Sequence, residues 1–467
     1  MKAALKQPVC VLSGRKTSSG SARARAIALA KPGSQGPNML SFRHTQCPVR
    51  ISAASPGRSS SRKTTTPYAA AATSETAAEK PEMDLAATLK LTVVNFYLNV
   101  FGGFEAGIKF LVDTMFPTKI KSIFAGLFAS YKEQVTISMD GDAAKASSKT
   151  AAIFREMIRA YAGQLIGVPY QFPNYHTAIR EGPIDYFKLG NDYVGTLINY
   201  DRSLLGNPHL WAQIEQQIAA KENVVLFANH QSEADAAFIP LLTQAAHPGL
   251  GEKVVYIAGD RVVSDLMSKP FSMGRNLLCI NSKKHMAADD SKTKSKKMRQ
   301  NMQTLKEMQK LMQEGGHIIW IAPSGGRDRR QADGTLFPDN FDPASVELMK
   351  KFAEKKGAKP THFYPLAMAT YDTMPPPTSV GGDLGEERVV TYCGCGLGLS
   401  EEVDITENGL WYTTMDEDVD SRTEGEIRAK YIYGKVMEQY AKIGDCMDND
   451  REAFLPEGCV RPVKAWP

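Results

Sequence analysis

Beyond Pro169 the chain repeats one alternation, a short β-rich apolar run followed by a longer stretch with helical spacing. The apolar runs are 224–228, 254–258, 277–280, 318–322, 363–369 and 389–392. Parallel neighbours need a crossover of about a dozen residues or more, usually a helix, whereas antiparallel ones can be joined by a tight turn. The alternation therefore predicts an α/β fold with a mixed, largely parallel sheet covered by helices on both faces. Between 292 and 314, Met298, Met302, Leu305, Met308 and Met312 recur at intervals of three and four, and this stripe is expected to face the core. A last helix is expected over 426–443, and the run Gly394-x-Gly396-x-Gly398 is read as a tight turn.

Upstream the pattern differs. From 85 to 165 apolar residues keep helical intervals, with breaks at Gly102-Gly103, Pro117 and 140–149, which predicts a small helical domain. Within it, 91–108 is mostly apolar but interrupted by Asn95, Asn99 and Glu105. That pattern fits a packed helix, with reversible membrane contact as the alternative, better than a membrane span. Residues 1–74 hold twelve Lys and Arg and no Asp or Glu, and they are rich in Ser, Thr and Ala. An acid-free, basic, hydroxylated N-terminus reads as an organelle transit peptide, here for a chloroplast. The expected organisation is a transit peptide over 1–75, a helical domain over 76–165 and a catalytic α/β domain over 166–467.

The formal charge of +5 belongs to that leader: the rest of the chain carries 44 Lys and Arg against 51 Asp and Glu, a net −7. General attraction to nucleic acid loses its support, and anion binding must come from local clusters. Five cysteines remain beyond the leader, Cys279, Cys393, Cys395, Cys446 and Cys459. An odd, sparse set is no disulfide framework, and Cys393-x-Cys395 lacks the spacing of a zinc site.

Ligands of open α/β sheets gather at the carboxyl ends of the strands, so the residues after each apolar run bear the chemistry. After 224–228 comes Asn229-His230-Gln231-Ser232-Glu233-Ala234-Asp235. A histidine at a strand end with a carboxylate five residues on, across a helix start, can bond through Nδ1 and keep Nε2 as a base. Taken alone the motif is also compatible with a helix-capping histidine beside a surface aspartate. After 277–280 comes Asn281-Ser282-Lys283-Lys284-His285, and after 318–322 comes Pro323-Ser324-Gly325-Gly326-Arg327-Asp328-Arg329-Arg330. Two strand ends thus present cations to one edge, where guanidinium forks can grip a phosphate. The later basic run 292–299 reads as a solvated face or a docking patch. Ser324 lacks the preceding glycine of a nucleophile elbow, and His317 and His362 at strand starts read as structural.

Together these blocks resemble the glycerolipid acyltransferases. Asn-His-x4-Asp at His230 and Asp235 matches the family signature. Phe271-Ser272-Met273-Gly274-Arg275-Asn276-Leu277, Trp320 to Arg329 and Tyr364-Pro365-Leu366-Ala367 follow in family order. Within that group the chain is similar to the soluble plastidial glycerol-3-phosphate acyltransferases over 172–443. The resemblance implies that His230, oriented by Asp235, takes the proton from the sn-1 hydroxyl of glycerol 3-phosphate, which attacks an acyl thioester directly. It implies phosphate binding by Lys284, His285, Arg327 and Arg329, with no metal or other cofactor. The donor is expected to be acyl-acyl carrier protein or acyl-CoA, the former docked on 292–299. Backbone N–H groups near the helix start after His230 are the expected oxyanion donors, and a partly apolar groove is expected for the acyl chain. The rival readings are a lysophosphatidate acyltransferase and a catalytically silent binding module.

Overall fold

The computed structural model describes residues 83–115, 118–282, 286–287, 289–376, 388–406, 408–412 and 421–466. The expected transit peptide and the break at Pro117 lie outside them. The described part belongs to a unit running from Ala77 to Pro467. It opens with four helices, α1 (Leu85–Phe101), α2 (Glu105–Met115), α3 (Thr118–Ser138) and α4 (Ala143–Leu165). Carboxylates start two of them: Asp84 Oδ1 accepts from the Ala87 N–H at 2.6 Å, and Asp142 Oδ1 from the Lys145 N–H at 3.0 Å. The Asp142 cap lets α4 begin at Ala143, well inside the polar stretch expected to be a longer break.

The remaining elements in chain order are β1 (Tyr175–His176), α5 (Tyr186–Gly195), β2 (Leu204–Gly206), α6 (Pro208–Ala219), β3 (Asn223–Ala228), α7 (Asp235–Thr243), β4 (Val254–Gly259), α8 (Asp260–Ser264), α9 (Lys269–Met273) and β5 (Asn276–Ile280). There follow α10 (Ser291–Glu314), β6 (Ile318–Ile321), α11 (Pro343–Ala353), β7 (Thr361–Ala369), β8 (Gly396–Leu399), α12 (Ser421–Ile443) and β9 (Cys459–Val460). The strands form one sheet in the order β1-β5-β4-β6-β3-β7-β8-β2-β9. Its five central strands, β5 to β7, are mutually parallel, whereas β1, β8 and β9 each run antiparallel to a neighbour. The expected mixed, largely parallel sheet is present.

Alternation along the strands divides two cores. Val224, Leu226, Tyr256 and Trp320 point into one, shared with Phe154 and Met157 of α4 and with Trp211 and Phe238 of α6 and α7. Val225, Phe227, Val255 and Ile319 point into the other, under α10, α11 and α12. Burial on both faces is why these strands read as continuous apolar runs with no polar alternate.

Three expectations are corrected. The run 389–392 joins no ladder; its neighbourhood contributes only an isolated bridge between Ile198 and Cys393. The strand lies one step later, in the glycine run read as a turn, because α12 packs directly on it. A Cβ at Gly396 would sit 3.0 Å from Ile443 Cβ, and one at Gly398 would sit 3.1 Å from Gln439 Cβ. The methionine stripe of α10 is likewise only half core: Met308 and Met312 are buried, whereas Met298 and Met302 are 54% and 59% exposed. A helix of 24 residues is about 36 Å long, and strands of four or five residues span only about 15 Å. Its first turns overhang the sheet. Met308→Ala is therefore expected to cost about 2–5 kcal/mol in urea unfolding, and Met298→Ala to stay within about 0.5 kcal/mol of the parent protein.

Candidate active site

Parallel β5, β4, β6, β3 and β7 end on one edge, and the side chains that follow β3, β6 and β7 converge there. His230 stands two residues beyond β3, and Asp235 occupies the first position of α7. His230 Nδ1 lies 2.7 Å from Asp235 Oδ2. The carboxylate is 2% exposed and the histidine side chain 27%, so the pair is anchored inside and open outside. Three further donors hold the carboxylate: the N–H groups of Gln231 at 2.8 Å and Ser232 at 3.1 Å, and the Thr370 hydroxyl at 2.6 Å. With both oxygens committed, the aspartate has one rotamer, and the ring it holds carries its proton on Nδ1. Among the described residues no group bonds Nε2. Trp320 of β6 sets its ring edge-on to the imidazole, with centroids 5.5 Å apart.

The same bonds commit three of the backbone N–H groups near this helix start. The N–H groups of Gln231 and Ser232 serve Asp235, and that of Ala234 donates to Ser232 Oγ at 3.0 Å. These three are spent on shaping the turn.

The β6 loop reaches over to this turn. Gly325 adopts φ +66°, a left-handed conformation that costs glycine little, and redirects the chain after Pro323-Ser324. The Asp328 N–H then donates to the His230 carbonyl at 2.6 Å. The Asp328 carboxylate is fully buried and accepts from Asn229 Nδ2 at 2.8 Å and from the Asp339 N–H at 2.9 Å. Burial pushes its pKa up to about 6 against those bonds.

Arg327 turns to Glu233, donating through Nη1 to Oε1 at 2.6 Å, and Arg388 donates through Nε to Glu233 Oε2 at 2.7 Å. Burial raises the Glu233 pKa, but Arg388 and Arg327 outweigh it and hold the carboxyl below its ordinary range. Arg329 is half-buried on the same loop. Lys284 and His285 lie outside the described residues. Arg330 bonds Asp372 Oδ1 at 2.6 Å and lies over the Tyr371 ring.

The acyltransferase family model matches residues 211–369, which bracket β3, β6, β7 and the His230 turn. The chloroplastic glycerol-3-phosphate acyltransferase of Arabidopsis thaliana is 38% identical over 354 residues, covering 75% of this chain and 74% of that protein. The enzyme of the same name from Pisum sativum is 37% identical over 339 residues, covering 72% and 71%. The one from Spinacia oleracea is 38% identical over 327 residues, covering 69% and 66%. The chain belongs to the chloroplastic glycerol-3-phosphate acyltransferase family.

Within this family member, several site residues escaped the motif reading. Thr370 follows β7 directly, so the strand-end rule points to it once β7 is placed. Arg388 has no such signal, because its partner Glu233 is 155 residues away in sequence. Gln231 proves structural: its amide donates to the Tyr440 hydroxyl at 3.0 Å and accepts from the Thr370 N–H at 3.0 Å. Of the remaining blocks, Arg275 is a buried cation bonded to Asn191 and stacked on Phe187, where burial lowers its pKa to about 10.

Thr370→Val keeps the shape but removes one donor from Asp235. A hydrogen bond to a charged group contributes about 1.5–3 kcal/mol, so turnover should fall roughly ten- to a hundredfold with little change in KM. Asp328 makes a pH prediction. Its folded pKa lies above the unfolded one, so the native state holds the extra proton, and stability is lost as pH rises from about 4 through about 6. The unfolding free energy of the parent protein relative to Asp328→Asn should drop across that window by on the order of 2–3 kcal/mol.

Proposed function

We propose that this protein is a plastid enzyme that transfers a fatty acyl group from a thioester donor to the sn-1 hydroxyl of glycerol 3-phosphate. Family membership supports the reaction, and the relatives' chloroplastic names support the location. The 2.7 Å pair of His230 and Asp235, at the carboxyl edge of the parallel strands, carries the chemical reading. In it, His230 Nε2 takes the hydroxyl proton as the alkoxide oxygen attacks the thioester carbonyl. The tetrahedral intermediate collapses with cleavage of the C–S bond, and the leaving thiolate takes the proton back from the imidazolium. Asp235 favours that imidazolium and holds its plane. No acyl-enzyme forms.

Lys284, His285, Arg327 and Arg329 hold the acceptor phosphate in this reading, so that the hydroxyl meets Nε2 without a further search. Glu233, placed between Arg327 and Arg388, aligns the two guanidiniums and neutralises part of their charge while the site is empty of phosphate.

The preferred donor in this reading is acyl-acyl carrier protein, a small acidic partner. Lys292, Lys294, Lys296 and Arg299 are exposed at the overhanging start of α10, with Met298 and Met302 exposed among them. Lys297 is tied to Asp289 at 2.8 Å, and among the described residues the side chains of the other four cations make no ion pair, which leaves them to meet an acidic surface. Peripheral contact with a membrane belongs to the same reading, since the product is an amphiphile.

The test is acyl transfer by the full chain from oleoyl-carrier protein, with glycerol 3-phosphate and lysophosphatidate as competing acceptors. Turnover with glycerol 3-phosphate is expected; turnover only with lysophosphatidate would reassign the protein to a second acylation. His230→Ala should lower turnover by at least about a hundredfold while glycerol 3-phosphate binding is retained. Replacing Lys294, Lys296 and Arg299 by Glu should raise KM for the carrier-bound donor and leave KM for acyl-CoA unchanged. An equal effect on both donors removes the docking assignment.

A further inference from the structure

Helix α1 has two apolar faces, and only one of them is used. Val94 and Leu98 are buried against the other helices. On the opposite side Leu85, Leu89, Val93, Phe96 and Val100 are 84%, 63%, 59%, 69% and 47% exposed. At about 100° per residue these five side chains fall within an arc of about 80°. The patch continues past the helix end through Phe104, 66% exposed, and onto α2 through Phe110, 54% exposed, whose ring stacks on Tyr97 at 5.3 Å. An exposed apolar surface this continuous marks an interaction site rather than scattered surface residues.

The chemistry of its rim selects the occupant. Thr88, Thr92 and Asn99 flank the stripe on one side, and Lys90, the single charged residue of α1, lies beyond the other, all four exposed. Hydroxyls, an amide and a cation around an apolar, phenylalanine-bearing face suit a helix lying at the boundary of headgroups and acyl chains. No described helix is long and apolar enough to cross a membrane, so this face fits contact in the membrane plane. The chain just upstream is poorly equipped to cover it: residues 52–82 contain one large apolar or aromatic side chain, Tyr68.

We propose that the exposed face of α1, extended by Phe104 and Phe110, docks this protein reversibly on a lipid bilayer. The acyltransferase reading supplies the purpose, since a one-chain acyl phosphate partitions between water and bilayer and is best released beside the latter. The docking itself stands on the surface alone.

The experiment is flotation of the full chain with phosphatidylcholine vesicles containing phosphatidylglycerol, comparing the parent protein with Leu89→Ser/Phe96→Ser. Both positions are exposed, so thermal unfolding and turnover with water-soluble substrates should be unchanged. The parent protein is expected to float with the vesicles. Burying a Leu or Phe side chain is worth enough that the double variant should lose at least about tenfold in bound fraction. A parent protein that stays in solution overturns the proposal, as does a variant that floats equally well. A parent dimer in sedimentation that the variant dissociates, with no vesicle binding by either, assigns the face to a second copy instead. Transfer assays on the same samples separate the two readings: flotation without transfer sinks the proposed activity, and transfer without flotation sinks the docking.

Discussion

The side-chain amide of Asn229 closes the carboxyl edge of the parallel strands. Its Nδ2 donates to Asp328 and to the Met368 carbonyl, at 2.8 and 3.0 Å, and its Oδ1 accepts from the Met368 N–H at 2.7 Å. One buried residue thus ties the ends of β6, β3 and β7 together, and each neighbour in turn fixes part of the site. Through Asp328 the β6 loop is bonded back to the His230 carbonyl, and just past Met368 the Thr370 hydroxyl reaches Asp235. A polar junction of this kind is costly unless every group is satisfied, and here each of the named atoms has its partner.

The positive side of the site is built on a different balance. Glu233 is surrounded by Arg327 and Arg388, and Arg388 also contacts Asp265 at 3.4 Å. Guanidiniums paired this way are held in position with their charge partly compensated, which lowers the cost of a cationic cluster in the absence of an anion. The acidic side chain in the middle of the signature is thus an aligner of the basic ones. The helical region takes part in this neighbourhood, since the Gln134 amide of α3 accepts from the Tyr392 N–H at 2.8 Å and the Tyr161 hydroxyl of α4 donates to the Met267 carbonyl at 3.0 Å.

Much of this was legible in the chain. The five central strands were read to within two residues at either end, because strands buried on both faces appear as unbroken apolar runs. His230 and Asp235 were legible because a strand end and a helix start five residues apart place them together with no long-range information. The short outer strands β1, β2 and β9 gave no signal, having two or three residues each. Gly396 and Gly398 misled, since a strand that packs directly under a helix needs small residues and so reads as a turn.

By itself the sequence determined the fold class, the edge of the sheet where His230 lies and the pairing of His230 with Asp235. Each of these follows from periodicity or from spacing within a few residues, where chain geometry leaves little choice. Tertiary structure decided which distant groups meet: Thr370 with Asp235, Arg388 with Glu233, and Asn229 with Met368. It also decided that Met298 and Met302 stay in water while Met308 and Met312 do not, and that α1 shows a second apolar face. Those outcomes depend on strand order and on how far each helix overhangs its support. Both are settled by packing between segments far apart in the chain, which no local pattern encodes.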